Sequence, residues 1–473
     1  MTKAQRIRDP VYNLVPFGTG LLERTLWDVI QTGPFQRLRR IRQLGFSEFV
    51  FSGATHTRFA HSIGVFHTAR QLMGIIERHT GEDFRPRQAE CALAAALVHD
   101  IGHGMFSHSF EEIGRSLNLP LARHEAVSEI LIRDSEVSDV FRGFDKNFAE
   151  DVADIIKRKE PLTLYDSVVS SQFDADRLDY MQRDRLMTGV QSSGIDVVWL
   201  LANLEVGSVP VTADDETTPR TVDTLVLGPK AFHAAESYVL SLLQLYPNVY
   251  LHKTTRGAEK IFTCLMIRLF DLVRRRHGGK VGLPKNHPIR RFADEPTSLR
   301  YVLDLDDFVF WGALPMMADA RDPLIAACAE QLHRRRLPKC IDVRRHLDEA
   351  DPLRPGMSPS DLQARRARIS LACKEVAKEI REKARLKKPS EPQILVDEAR
   401  RSPYKRYQES RSLLNQILIK HGEGHFEDMA DLSAVVASAE TFETCRAYYN
   451  ADDTDGRDML ENIVRTKSGE ING

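Results

Sequence analysis

Apolar residues recur at helical spacing through most of this chain and alternate as strands do in only a few places. Residues 1–20, with Asp9-Pro10, Val15-Pro16 and Gly18-Thr19-Gly20, read as extended or turn structure. Leu21, Leu22, Leu26, Trp27 and Ile30 then form a first helical stripe, broken by Thr32-Gly33-Pro34. Pro34 suits the first turn of a second helix, expected from Phe35 to Leu44. Phe49-Val50-Phe51 to Gly53 reads as a short extended piece. Thr57 fits an N-cap for a helix running to His79, and Thr80-Gly81-Glu82-Asp83 is its turn. Arg87 to His99 is an apolar helix, His124-Glu125 starts another, and residues 146–158 are helical too. Residues 206–228 change character: two β-branched runs around a polar turn predict a hairpin. Helix resumes from Pro229 to about Arg276, 277–300 is rich in loops, and 304–335 is helical again. Gln393 to Asp397 resembles a short strand. The pattern predicts a mainly α protein: a helical core over 1–260 with one small hairpin, a helical C-terminal lobe over 261–420, and an acidic appendage over 421–473.

Charge changes this picture in two places. Residues 363–388 hold ten Lys/Arg against three Glu on a helix with one apolar face, Ile369, Ala372, Cys373, Val376 and Ile380. A solvated surface is the ordinary explanation; weak contact with phosphates or nucleic acid is the alternative. From Glu423 to Glu461 the balance inverts, with eleven acidic residues against Arg446 and Arg457. Over the whole chain of 473 residues Lys+Arg is 66 and Asp+Glu 67, so net charge implies attraction to neither nucleic acid nor membrane. Six scattered cysteines without a CxxC pair disfavour a zinc ribbon or disulfide framework and fit a reducing cytoplasm. No signal core opens the sequence, and no run of about 18 apolar residues would span a membrane.

The chemistry concentrates where the apolar run from Cys91 to Val98 ends in His99-Asp100, followed by His103 and His108. A helix entering a core has no packing reason to finish on an imidazole and a carboxylate, because burying unpaired polar groups is costly. A bound metal supplies the reason, and the other ligands are then sought along the chain. Arg58 and His61 are three apart and share a helical face. Asp174, Asp176, Asp179 and Asp184 crowd a single segment, in which Asp176, Asp179 and Tyr180 share a face and Asp184 falls close to it. Such a stripe repels itself unless Arg177, Arg183 or a cation offsets it. The arginines at 37, 39, 40 and 42 read as a solvated face or as part of a site, at even odds. Gly102 and Gly104 are expected to let the chain turn tightly, so that His103 and His108 face one pocket.

The constellation His61, His99-Asp100 and Asp176 resembles that of the HD-domain metal-dependent phosphohydrolases. Gln36, Arg39, Arg42-Gln43-Leu44-Gly45, His56-Thr57-Arg58-Phe59-Ala60-His61 and Asp174-Ala175-Asp176-Arg177-Leu178-Asp179-Tyr180 are similar to the deoxynucleoside-triphosphate triphosphohydrolase branch, which includes the vertebrate sterile-alpha-motif/HD-domain enzyme and bacterial dGTPases. The resemblance runs through Tyr250-Leu251-His252-Lys253 and more weakly to about residue 405. It implies an HD-domain helical core without a preceding sterile-alpha-motif domain. It implies His61, His99, Asp100 and Asp176 as ligands of a divalent metal, with Mn²⁺, Mg²⁺, Fe²⁺, Ni²⁺ and Zn²⁺ all compatible with the mixed N/O set. It implies Arg58 and Lys253 on the triphosphate, and His103, His108 and His124 around the α-phosphate. Within that group His124 would be the proton donor, oriented by Glu111. Gln43 and Leu44 would read the deoxyribose, and Tyr180 and Tyr250 would stack on or close over it. The implied reaction is dNTP plus water to deoxynucleoside plus triphosphate. Gln31 replaces the Asp that reads guanine in the vertebrate activator site, while Gln36 and Arg39 persist. A guanine-specific activator is therefore in doubt, and another nucleotide, or none, stays open. Assembly as a tetramer or hexamer is a further expectation. The alternatives are an HD phosphohydrolase or phosphodiesterase acting on another nucleotide, and a nucleic-acid-binding or nuclease role.

Overall fold

Thr57 does cap the helix on which the site is built: its side chain accepts the Ala60 N–H at 3.4 Å, and α2 runs from Arg58 to Thr80. The computed structural model describes residues 3–158, 160–211, 220–406, 412–422 and 424–472. The chain is mainly α, and it divides into two compact units, each discontinuous in sequence. The first comprises Met1–Asn248, Thr297–Phe308 and Ser402–Glu440.

In this unit β1 (Gln5–Asp9) and β2 (Asn13–Phe17) form an antiparallel hairpin ahead of α1 (Leu21–Gln31). Around α2 lie α3 (Pro86–Val98), α4 (His108–Leu117), α5 (His124–Arg133) and α6 (Ala175–Thr188). The predicted hairpin is present as β3 (Leu204–Val211) and β4 (Arg220–Leu227); its turn, 212–219, lies outside the described residues. β4 also pairs in parallel with Leu418–His421, which makes a four-stranded sheet. That sheet joins chain segments nearly two hundred positions apart, beyond the reach of local periodicity.

Three local expectations fail, the first because tertiary pairing overrides local pattern. The helix expected over 35–44 stops at Arg40. Ile41 turns extended because the backbone there bonds across to another segment: Gln43 donates to the His56 carbonyl at 3.0 Å and Arg58 to the Ile41 carbonyl at 2.9 Å. The extended piece at 49–53 is instead a 3₁₀ turn, Gly45–Phe49, and a loop. The long helix expected from Pro229 to Arg276 is interrupted by a π-type turn at Tyr246–Tyr250 that contains Pro247, and by extended backbone at His252.

The second unit comprises Val249–Pro296, Val309–Arg401 and Thr441–Gly473. Its sheet orders Lys339–Asp342, Phe442–Tyr449 and Leu395–Arg401, with Phe442–Tyr449 in the centre. Pro359–Arg385 packs on it through the predicted face, Ile369, Ala372, Cys373, Val376 and Ile380, together with Leu460, Ile463 and Val464 of the last helix, Thr454–Asn472. The helical appendage expected over 421–473 is thus not a separate body: it belongs to the first unit up to Glu440 and to the second from Thr441, where the central strand is core and Ala447 and Tyr448 are covered. No described helix is long and apolar enough to cross a membrane.

Candidate active site

The end of α3 and the faces of α2 and α6 meet at one point. On α2, His61 is fully buried and its Nδ1 lies 2.7 Å from Asp179 Oδ2. Asp179 is held in turn by Arg183, one turn along α6, and Arg183 also reaches Asp9 at 2.8 Å. This buried chain explains Gly64. A Cβ there would collide with the Asp179 carboxylate and the Arg183 guanidinium. His99, at the end of α3, turns its Nδ1 to the Ala96 carbonyl at 2.9 Å.

Both imidazoles therefore spend Nδ1 on protein acceptors and present Nε2 to one place. There neither Nε2 has a hydrogen-bond partner among the described residues, although both atoms are shut off from solvent. Asp176 Oδ1 lies 2.9 Å from His61 Nε2, off the hydrogen-bonding direction, and 3.8 Å from His99 Nε2. Asp100 closes the group at 3.4 Å from His99 Nε2 and 3.7 Å from His61 Nε2. Ligand atoms of His61, His99 and Asp176 all fall within 4.8 Å of one another. Two orphaned imidazole nitrogens and two carboxylates fit a divalent metal. Without one the cluster demands a proton: burial alone would depress the His61 pKa, but Asp176 and Asp179 outweigh it and push it up to about 10. Burial likewise opposes ionisation of Asp100, yet Arg58, His99 and His103 hold its pKa well below the usual carboxylate range.

A second histidine cluster begins on the other side of Asp100. His103 Nε2 is 3.2 Å from Asp100 Oδ1, and the His103 ring stacks on His124 with centroids 4.0 Å apart. Glu111 binds His124 Nδ1 at very short range and His108 Nδ1 at 3.2 Å. Burial and the charges of Arg58 and His124 keep the His103 pKa well below its ordinary value. The His124 pKa moves the opposite way: burial lowers it, but the Glu111 carboxylate more than compensates. His108 is exposed at the mouth of the group.

The glycines between these histidines work differently from expectation. Neither Gly102 nor Gly104 has a positive φ; a Cβ at Gly102 would strike the backbone of His124 and Ser128, and one at Gly104 the Phe110 ring. They permit close packing, and the left-handed turn is made by Phe106 and Ser107, both at φ 51°.

The remaining candidates are distributed unevenly. Arg58 is buried and already bonded to Asp100 Oδ2 and, at 2.9 Å, to Ser107 Oγ. Gln43 and Leu44 lie half-buried in the segment paired with His56, and the Gln43 Oε1 atom is buried without a partner among the described residues. Tyr180, half-buried, sits one turn beyond Asp176 on α6. Tyr250 and Lys253 belong to the second unit, where the Lys253 carbonyl accepts the Tyr448 hydroxyl at 2.9 Å. Gln36 and Arg39 bond one another at 2.8 Å, and Arg39 lies over the Phe59 ring; exposed Gln31 points back to its own helix. Arg37 stayed open in the sequence. It is 3% exposed and donates to the carbonyls of Ile101 and His103, so it fixes the turn that carries the histidines. Its place in the apolar stripe, three after Pro34 and four before Ile41, was the available signal.

The sequence profile of the HD domain matches residues 58–181. The chain carries an HD domain, the domain of a class of metal-dependent phosphohydrolases, and the histidine–aspartate group lies within it. Over 272 residues, 58% of this chain and 57% of the relative, it is 37% identical to the uncharacterized protein YwfO of Bacillus subtilis. Over 198 residues it is 35% identical to the deoxynucleoside triphosphate triphosphohydrolase SAMHD1 of Gallus gallus, covering 35% of this chain and 32% of that protein. The chain spans about half the length of the curated relatives it matches first. Its fold is similar to that of a phosphohydrolase from Bacteroides thetaiotaomicron, at TM-score 0.69 and 24% identity over 94% of this chain and 100% of that one.

Proposed function

We propose that the protein hydrolyses deoxynucleoside triphosphates to deoxynucleoside and triphosphate. The observation that carries the reading is the meeting of two histidine clusters at Asp100. One presents unpartnered Nε2 atoms beside carboxylates, and the other is backed by Glu111. The named activity of the SAMHD1 relatives supports the choice of substrate.

His61, His99, Asp100 and Asp176 would hold a divalent ion, which when bound supplies positive charge against phosphoryl oxygens and acidifies water. Arg58 braces Asp100 and turns its remaining donors to phosphate. His103 and His108 flank the α-phosphate. His124, kept protonated by Glu111, delivers a proton to the departing 5′-oxygen and so avoids release of an alkoxide. Gln43 and Leu44 face the sugar, with Tyr180 beside it and no room for a 2′-hydroxyl. Tyr250 and Lys253 are assigned to sugar and triphosphate by resemblance, as is assembly into a homo-oligomer.

Purified protein is incubated with each dNTP alone and then in mixtures, with Mn²⁺ or Mg²⁺, and the products are separated. Triphosphate and deoxynucleoside are expected, and acceleration by a second nucleotide reveals activation. Pyrophosphate or orthophosphate as the sole inorganic product rejects the reading in favour of another phosphoester.

A further inference from the structure

Asp307 lies far outside residues 58–181, yet it grips two segments of the site. Its side chain is buried within the first unit, at 2% exposure. Oδ2 accepts the Arg42 backbone N–H at 2.8 Å, and Oδ1 accepts the Phe106 backbone N–H, also at 2.8 Å. Arg42 leads directly into Gln43 and Leu44. Phe106 leads into Ser107, which receives Arg58, and His108, which bonds Glu111. Phe106 and Ser107 both hold positive φ, a conformation that non-glycine residues keep only where the surroundings over-determine it. Stacking of Phe106 on Phe46 at 4.1 Å supplies one constraint, and Asp307 supplies the backbone one.

The chemistry calls for a carboxylate. One planar group with two acceptor oxygens can hold N–H donors from two separate segments at a defined spacing. A primary amide has one acceptor and would turn its NH₂ against the other donor. Neighbouring Asp306 is used otherwise: it pairs with Arg40, whose side chain is 49% exposed.

We propose that Asp307 is a positioning residue that sets the spacing between the sugar-facing Gln43-Leu44 segment and the phosphate-facing turn from His103 to His108, and thereby the fit around the 2′ carbon. This rests on the deoxynucleotide reading above. His61 and His99 are anchored by Asp179 and the Ala96 carbonyl, and only Asp100 is reached from the clamped turn, through Ser107 and Arg58, so Asp307 acts on substrate fit far more than on metal affinity.

Asp307→Asn is compared with native protein and with Asp306→Asn. For Asp307→Asn, kcat/KM on the preferred dNTP is expected to fall on the order of a hundredfold, mostly through KM, because reacting groups shift by a fraction of an ångström. The preference for dNTP over the matching rNTP narrows. Asp306→Asn, which removes the buried partner of half-exposed Arg40 and leaves both Asp307 hydrogen bonds in place, lowers kcat/KM much less. Mn²⁺ affinity by calorimetry changes little in both. Amide exchange rises in peptides covering 42–46 and 104–110 and not in the helix 58–80. Unchanged exchange in those two peptides overturns the proposal; so does exchange rising everywhere with loss of Mn²⁺ binding. If Asp307→Asn does not fold, Asp307→Glu, which keeps the charge and alters the reach, goes through the same measurements. Failure of both to fold assigns Asp307 to stability alone and also overturns it. Should native protein hydrolyse no dNTP, the deoxynucleotide reading fails by itself, while exchange and Mn²⁺ binding still decide whether Asp307 clamps the two segments.

Discussion

The two histidine clusters that share Asp100 are built from the same residue type for opposite ends. In the first, His61 and His99 give Nδ1 to Asp179 and to a carbonyl, and leave Nε2 bare beside carboxylates. In the second, His108 and His124 give Nδ1 to the same carboxylate, Glu111, and His103 stacks flat on His124. An imidazole whose far nitrogen is anchored, and whose near nitrogen meets carboxylates and no donor, suits a metal. An imidazole hydrogen-bonded to a carboxylate and partly open to solvent suits proton transfer. The difference lies in what the free Nε2 meets: in the first cluster two such atoms converge beside Asp100 and Asp176.

The comparison breaks most completely at Asp176. Asp176→Ala is expected to abolish both Mn²⁺ binding and turnover, and metal restored after chelation should rescue native protein alone. Calorimetry with Mn²⁺ checks this, and a variant that binds metal normally would remove Asp176 from the ligand set. His124→Ala should separate the clusters: kcat falls about 10²- to 10⁴-fold, the range for a lost general acid, while Mn²⁺ affinity holds. Loss of metal binding in that variant would merge the two groups into one. Glu111→Gln is expected to have the smallest effect and sharpens the contrast most. Burial lowers the His124 pKa and Glu111 raises it by more, so a proton donor at His124 loses activity as pH rises through that elevated value. Without the carboxylate the pKa drops, and the alkaline limb of the kcat profile moves to lower pH. A limb that stays in place means His124 does not supply the proton.

Much of the first cluster was legible before any fold. Helical period alone puts Arg58 with His61, and Asp176 with Asp179 and Tyr180, on shared faces. The acidic stripe of α6 is answered by partners rather than solvated: Asp176 faces His61 and His99, Asp179 takes Arg183, and Asp184 takes His56 at 2.8 Å. The basic helix went the same way. Arg365, Arg368, Arg381 and Lys387 each pair with an acidic residue elsewhere in the second unit, at 3.2, 2.7, 2.5 and 2.9 Å, so much of its apparent charge is neutralised at home. Charge counted along a window misses acids contributed by Asp348, Asp351, Glu398 and Asp453. Arg37 stayed open and Asp307 was illegible because their partners are backbone groups, which no side-chain pattern records.

Residue types and spacing by themselves marked His99-Asp100 as a candidate metal end and set which side chains share a face, since a helix turns by a constant angle per residue, while the full ligand set came from resemblance. Only the tertiary structure decided what each imidazole does with its second nitrogen, where the helix after Pro34 stops, and how a carboxylate near residue 300 ties Arg42 to Phe106. Those outcomes depend on which distant segments come within hydrogen-bonding distance. A buried polar group takes whatever partner the path of the chain brings to it, because leaving it without one costs more than bending the local pattern.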